Sequence, residues 1–131
     1  MHDAIIGTMH TRIAAAYPGV PMMVDAVMAG VPVQAEWVGE PPEVGRLVDV
    51  ELDIDAVLAW SDGIAIDDGQ LTMRKDLVLR GILELQEQEI LTVRIAGGLV
   101  QVEVDDGSVE IPPGAAIALS GSHLKLYPTG R

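Results

Sequence analysis

One five-residue pattern occurs twice in the chain and constrains its fold more than any other feature. The sequence Val-Gln-Ala-Glu-Trp at residues 33–37 returns as Val-Gln-Val-Glu-Val at residues 100–104. Each copy is followed by a loop with a proline pair and a glycine, and then by an apolar alternation that ends on an aromatic residue, Trp60 or Tyr127. The copies are 67 residues apart at both ends of this stretch. The chain is therefore predicted to contain two related units, each about half of its length.

Alternation of apolar and polar residues predicts strands in both units. The clearest example runs from residue 48 to residue 56, where aliphatic residues at even positions alternate with four carboxylates. A period of two places these two sets on opposite faces of a strand. Gly30 in the first unit and Gly97-Gly98 in the second separate successive alternating runs, and glycine at such a position is typical of a tight hairpin.

The strand pattern predicts an all-β protein, because each unit offers about five short strands and no helix pattern. We expect two related five-stranded small barrels of the oligonucleotide-binding (OB) or SH3-like kind, derived from an internal duplication. The predicted division is residues 1–60 for the first unit, 61–76 for a connecting hairpin and 77–131 for the second unit, together one compact domain. A single β-sandwich is the alternative. Units this small are marginal alone, so they are expected to pack on each other or to oligomerise.

The net charge of the protein restricts the classes of partner that it can bind. The formal charge is −12, from 20 acidic and 8 basic side chains, and no basic patch offsets it. Such a field repels polyanions, so neither nucleic acid nor an anionic membrane is expected as a partner. A basic protein, a second copy of this chain or a cation is electrostatically allowed. The simplest interpretation of the acidity is that it keeps a protein with 49% hydrophobic residues in solution.

Cysteine and targeting signals are both missing from the printed sequence. Without cysteine there is no disulfide, no thiolate chemistry and no cysteine-based metal site. The N-terminus lacks the basic and apolar regions of a signal peptide. Residues 13–33 carry a single charge, Asp25, but three prolines interrupt the stretch, which argues against a membrane-spanning helix. The expected compartment is the cytoplasm.

The strand at residues 48–56 carries the candidate partner-binding residues. Side chains on one face of a strand are about 7 Å apart, so carboxylates there repel one another. We interpret this row either as a docking face for a basic partner, as a loose divalent-cation site, or as the solvated face of an edge strand charged against aggregation. A straight strand is poor geometry for Ca²⁺, which is usually wrapped by a bent loop. The four carboxylates of this row are Asp49, Glu51, Asp53 and Asp55.

Other polar residues offer no recognised catalytic or metal pattern. The spacing of His2 and His10 does not match a metal-binding motif, and His123 is far from both. Ser120 and Ser122 precede His123, but neighbours on a turn rarely face each other as a catalytic pair. No phosphate-binding glycine loop or nucleophile elbow is present. The sequence therefore predicts no catalytic residue, no metal ligand and no cofactor.

Residues 81–128 loosely resemble the small OB-type domains that accompany transport ATPases, the TOBE group. The likeness lies in a Gly-Ile-Leu-Glu opening at residues 81–84, a valine-rich hairpin, and Pro-Gly-x-x-Ile-x-Leu at residues 113–119. It covers about a third of the chain. The oxyanion-binding motif of the related molybdate-binding domains is absent, so the resemblance does not imply oxyanion binding.

Three hypotheses of function follow from these patterns. The first is a non-enzymatic interaction or adaptor module of a larger assembly or homo-oligomer, with the acidic strand facing a basic partner. The alternative is a sensor domain for a small ligand or ion, loosely like the transport-associated OB domains, with its ligand between the two units or across a dimer interface. The aromatic residues expected around such a ligand are Trp37, Trp60 and Tyr127. An enzyme of undefined reaction is the third hypothesis.

Overall fold

A computed structural model describes residues 9–60, 62–67, 77 and 79–129 of the chain. All regular structure in these ranges is β, and no helix that could span a bilayer occurs among them. The strands are β1 (Met9–Tyr17), β2 (Met22–Met28), β3 (Val31–Trp37), β4 (Leu47–Ile54), β5 (Val57–Leu58), β6 (Ile64–Ile66), β7 (Leu79–Glu87), β8 (Ile90–Ile95), β9 (Gly98–Val104), β10 (Ala116–Leu119) and β11 (Leu124–Pro128).

The strands form two sheets, one of which closes into a barrel. The first sheet has the order β1-β2-β3-β11-β4, and β4 pairs back with β1 to complete the barrel. The second sheet has six strands in the order β5-β9-β8-β7-β10-β6. The prediction of an all-β protein built from two small barrel-like units is confirmed. The second sheet has one strand more than the predicted five, because a short β5 and a short β6 together occupy the place that β11 fills in the first sheet.

The two halves of the chain exchange their last strands. β11 comes from the end of the chain but lies parallel to β3, where Lys125 is opposite Glu36. β5 comes from the first half but lies parallel to β9, where Val57 is opposite Glu103. A further backbone hydrogen bond extends each of these two parallel pairings. In the first sheet the amide of Val38 donates to the carbonyl of Leu126 at 3.0 Å. The amide of Asp105 donates to Leu58 in the second, also at 3.0 Å.

Strand registers repeat between the two sheets. In the first sheet β1 pairs with β4 so that Arg12 is opposite Leu47. In the second, β7 pairs with β10 so that Ile82 is opposite Ala116. A bulge interrupts β1 between residues 13 and 15, and a bulge interrupts β7 at the matching place between residues 83 and 85. Both sheets therefore follow one plan, as the repeated sequence predicted.

The sheets do not follow the predicted division of the chain. β11 belongs to the second predicted unit and lies in the first sheet, while β5 and β6 lie in the second sheet. The predicted connecting hairpin includes β6, which pairs with β10 at the edge of the second sheet, and residues 68–76, which lie outside the described residues. The division at residues 1–60, 61–76 and 77–131 stays a prediction about the units of the duplication.

Inward-facing aliphatic side chains form the core without any phenylalanine. Alternate residues along the strands are buried, so that β9 buries Val100, Val102 and Val104 and leaves Gln101 and Glu103 exposed. Buried side chains from both sheets belong to one contiguous cluster. Because each exchanged strand contributes core residues to the opposite sheet, the packing of each sheet depends on both halves of the chain.

Leu126→Ala tests the contribution of β11 to the first barrel. Leu126 is 0% exposed, and its truncation should lower the free energy of unfolding by about 2–5 kcal/mol, since it removes buried methyl groups and leaves a cavity. Leu85→Ala is the matched control because Leu85 is 47% exposed, and it should cost at most about 0.5 kcal/mol. Urea unfolding measures both. Equal losses would mean that β11 is not packed as described.

Candidate functional site

The acidic row of the sequence lies on the outer face of β4. Val50, Leu52 and Ile54 point into the barrel and are buried. Glu51 and Asp53, between them, are exposed, as the period of two predicted. The whole row is Asp49, Glu51 and Asp53 on the strand and Asp55 just beyond its end, and we keep the name acidic row for these four carboxylates.

β4 is an interior strand of the barrel. It pairs with β1 through residues 47–50 and with β11 through residues 50–54. The interpretation of the acidic row as the solvated face of an edge strand is therefore wrong. Protection of an edge against aggregation does not explain these charges.

Basic residues on the neighbouring strands contact the two ends of the acidic row. His10 of β1 lies opposite Asp49, with 2.6 Å between its Nδ1 and the Asp49 carboxylate. Lys125 of β11 lies opposite Asp53, and its Nζ is 3.2 Å from Asp55. The exchanged strand thus supplies the cation at one end of the row.

Acidic neighbours raise the pKa of Lys125 above its usual value. The largest cause is its hydrogen bond to Asp55, followed by the charges of Asp55 and Glu36. Glu36 is on β3, the strand on the other side of β11. Lys125 therefore contacts Asp55, just beyond the end of β4, and also feels the charge of Glu36 on β3, because β11 lies between β3 and β4.

Glu51 and Asp53 differ from the two ends of the acidic row. Within the ranges that the structure describes, no cation pairs with either carboxylate. Both line a cleft that also contains Tyr127, the residue opposite Glu51 on β11. The centre of the row thus carries two carboxylates that form no ion pair in the described part of the chain, and it is open to a ligand.

The cleft lies where the outer face of the first barrel meets the outer face of the second sheet. β4 packs against β9. The volume of the cleft is about 350 Å³, within the range of small-molecule sites. Its walls are Glu51, Leu52, Asp53 and Tyr127 from the barrel, and Thr92, Leu99 and Gln101 from the second sheet. Acidic, hydrogen-bonding and apolar groups therefore converge in one concave place.

The three aromatic residues predicted around a ligand lie in different places. Tyr127 is in the cleft with Glu51 and Asp53. Trp37 lines a separate hollow of about 510 Å³ beside the loop at residues 39–46, and its Nε1 donates to the carbonyl of Glu40 at 2.6 Å. Trp60 is partly buried, and its Nε1 donates to the carbonyl of Asp106 at 3.1 Å. The structure thus places Tyr127 with Glu51 and Asp53, and Trp37 in a hollow that Asp49 also lines.

Histidine and serine residues take structural positions. His2 lies outside the described residues, and His10 pairs with Asp49 as given above. The hydroxyls of Ser120 and Ser122 are hydrogen-bonded to each other at 2.7 Å, and the carbonyl of His123 accepts the amide of Asp55. Across the described part of the chain, no three histidine or acidic side chains come together in a group that could hold a metal ion.

The sequence analysis missed the three residues that the second sheet contributes to the cleft, namely Thr92, Leu99 and Gln101. All three are on the outer face of the second sheet, where polar or partly exposed residues are ordinary. The one sequence feature that marks any of them is the repeated five-residue pattern, which includes Gln101. That pattern predicts a strand and does not reveal that its outer face meets β4.

Comparisons with protein-family models, with curated proteins and with solved structures each found no match. The chemistry of the acidic row and of the cleft is therefore the basis for assigning a function.

Lys125→Met tests the compensation of the acidic row. Removal of this cation should lower the melting temperature, and the loss should shrink in molar salt because salt screens repulsion among exposed carboxylates. The folded-state pKa of Lys125 is raised, so its stabilising effect is full below the unfolded-state pKa of lysine and is lost as pH rises through the folded-state pKa. The difference between wild type and variant should therefore close at strongly alkaline pH.

The control for this prediction is Arg46→Met. Arg46 forms an exposed ion pair with Glu43, at 3.1 Å and three residues away in sequence, so its loss should change the melting temperature less. Thermal unfolding followed by circular dichroism measures all three proteins. If Lys125→Met were as mild as Arg46→Met at every salt concentration, Lys125 would not hold the acidic row together.

Proposed function

We propose that the protein is a non-enzymatic interaction module that binds a basic segment of a partner protein against the acidic row of β4. The observation that carries the proposal is the pair Glu51 and Asp53. They lie on an interior strand, have no cation as partner within the described part of the chain, and open onto a cleft.

Electrostatics supports a basic protein as the partner. Uncompensated like charges on one strand face cost stability in the free protein, and a bound cation relieves that cost. The net charge of −12 adds a long-range field that attracts basic proteins and speeds their association. The same field disfavours nucleic acid and anionic membrane. The proposal places this interaction in the cytoplasm, and self-association of the chain stays a further prediction.

A small-ligand sensor is the second candidate, and one observation favours it. The cleft of about 350 Å³ has the size of a small-molecule site and contains Tyr127, one of the aromatic residues that the sequence analysis assigned to such a site. Under this alternative a free compound, without any attached protein, fills the cleft. Native mass spectrometry distinguishes the two, since a resident small molecule adds a reproducible mass that disappears on denaturation.

Binding of a labelled, lysine-rich peptide that carries one central arginine tests the proposal. Fluorescence anisotropy should give an affinity that falls steeply between low and moderate ionic strength. The double variant Glu51→Gln/Asp53→Asn should weaken binding at least about tenfold at low salt, because it removes the two charges at the centre of the acidic row and keeps the side-chain shapes.

The matched control for this double variant is Glu87→Gln/Glu89→Gln. It changes the net charge equally at exposed positions that do not line the cleft. It should leave most of the affinity intact. If both double variants weakened binding to the same extent, the peptide would be responding to net charge alone, and the proposal of a docking face on β4 would be wrong.

A further inference from the structure

Thr92 is a polar residue of the cleft that does not belong to the acidic row. It lies on the outer face of β8 and is only 7% exposed. Its neighbours Leu91 and Val93 point into the core of the second sheet, so Thr92 is covered from the opposite side. No described residue forms a hydrogen bond with its hydroxyl. The hydroxyl therefore keeps its hydrogen-bonding capacity for water or for a ligand.

The hydroxyl of Thr92 is accessible to a partner. No buried polar side-chain atom in the described residues is both sealed from solvent and unpaired, so this hydroxyl retains an open side. Thr92 lines the cleft, together with Glu51 and Asp53 from the facing barrel. Gln101, directly opposite Thr92 on β9, lines it too. The cleft thus contains a nearly buried, unpartnered polar group in addition to its carboxylates.

The groups around the cleft match the donors of a guanidinium. Carboxylates only accept hydrogen bonds, and the hydroxyls of Thr92 and Tyr127 and the amide oxygen of Gln101 can accept them as well. A guanidinium has five donors, spread in a plane, and no acceptor. A lysine ammonium is a compact charge with three donors, so it reaches fewer of these acceptors at once than the wider, planar guanidinium.

We propose that the cleft takes the guanidinium of an arginine side chain from the basic segment of the partner. Glu51 and Asp53 accept from one edge of the guanidinium, and Thr92 and Gln101 accept from the other. The apolar surface of Leu99 and the ring of Tyr127 lie beside the aliphatic stem. This inference rests on the proposed function, and it adds that arginine is preferred to lysine at one position.

The experiment compares three peptides that differ only in the central residue of the lysine-rich peptide used above, which is arginine, lysine or citrulline. The arginine and lysine peptides have equal charge, so a difference between them reports the guanidinium itself. We expect the arginine peptide to bind about tenfold more tightly than the lysine peptide, the size expected for hydrogen bonds to a charged group. Citrulline has a similar shape without the charge and should be no better than lysine.

Thr92→Val removes the hydroxyl with little change of shape. It should weaken binding of the arginine peptide more than binding of the lysine peptide, and so reduce the preference for arginine. Thr92→Ser keeps a hydroxyl and should restore the preference, and urea unfolding of both variants shows whether the fold is intact. Equal binding of the arginine and lysine peptides to the wild type, or a Thr92→Val variant that keeps the preference, would overturn the inference.

Failure of this inference is distinct from failure of the proposed function. If Glu51→Gln/Asp53→Asn weakens both peptides equally and Thr92→Val has no effect, docking on the acidic row stands and the guanidinium site is wrong. If the wild type binds neither peptide, both are wrong. If capped arginine alone binds as tightly as the arginine peptide, the ligand is a free guanidinium compound, and the assignment to a partner side chain is overturned.

Discussion

Exchange of the last strand between the two halves is the constraint on which the rest of the structure depends. β11 completes the first barrel between β3 and β4, and β5 extends the second sheet beside β9. Neither sheet has its full set of strands without residues from the other half. Each unit alone would be only marginally stable. Because of the exchange the two units share one core and cannot separate without breaking strand pairs.

The candidate site is a consequence of this exchange. β11 places Lys125 among the carboxylates of two strands and Tyr127 opposite Glu51. The packing of β4 on β9 turns two outer faces, each ordinary alone, into a cleft with Glu51, Asp53 and Thr92 in its walls. His10 and Lys125 contact the two ends of the acidic row, whereas Glu51 and Asp53 form no ion pair among the described residues, so a cationic group gains most at the centre.

The alternation of apolar and polar residues predicted the strands of this protein but not which strands pair with each other. Alternation at residues 48–56 correctly separated the buried and exposed faces of β4, because a period of two is a property of the strand itself. Residues 124–128 have the same alternation whether they pair with their own unit or with the other, so the exchange was not predictable. The interpretation of β4 as an edge strand failed because the pattern does not show which strands pair with it. Thr92 and Gln101 were missed because only the packing of the two sheets brings them to β4.

Native-state hydrogen exchange of two amides tests the interlocking of the sheets most directly. The amide of Val38 donates to Leu126 in the first sheet, and that of Asp105 donates to Leu58 in the second. Leu58 is 4% exposed, and Leu58→Ala should lower the protection of both amides by the same free energy, because both sheets open together. A loss of protection at Asp105 with none at Val38 would mean that the sheets open independently, and would contradict the account.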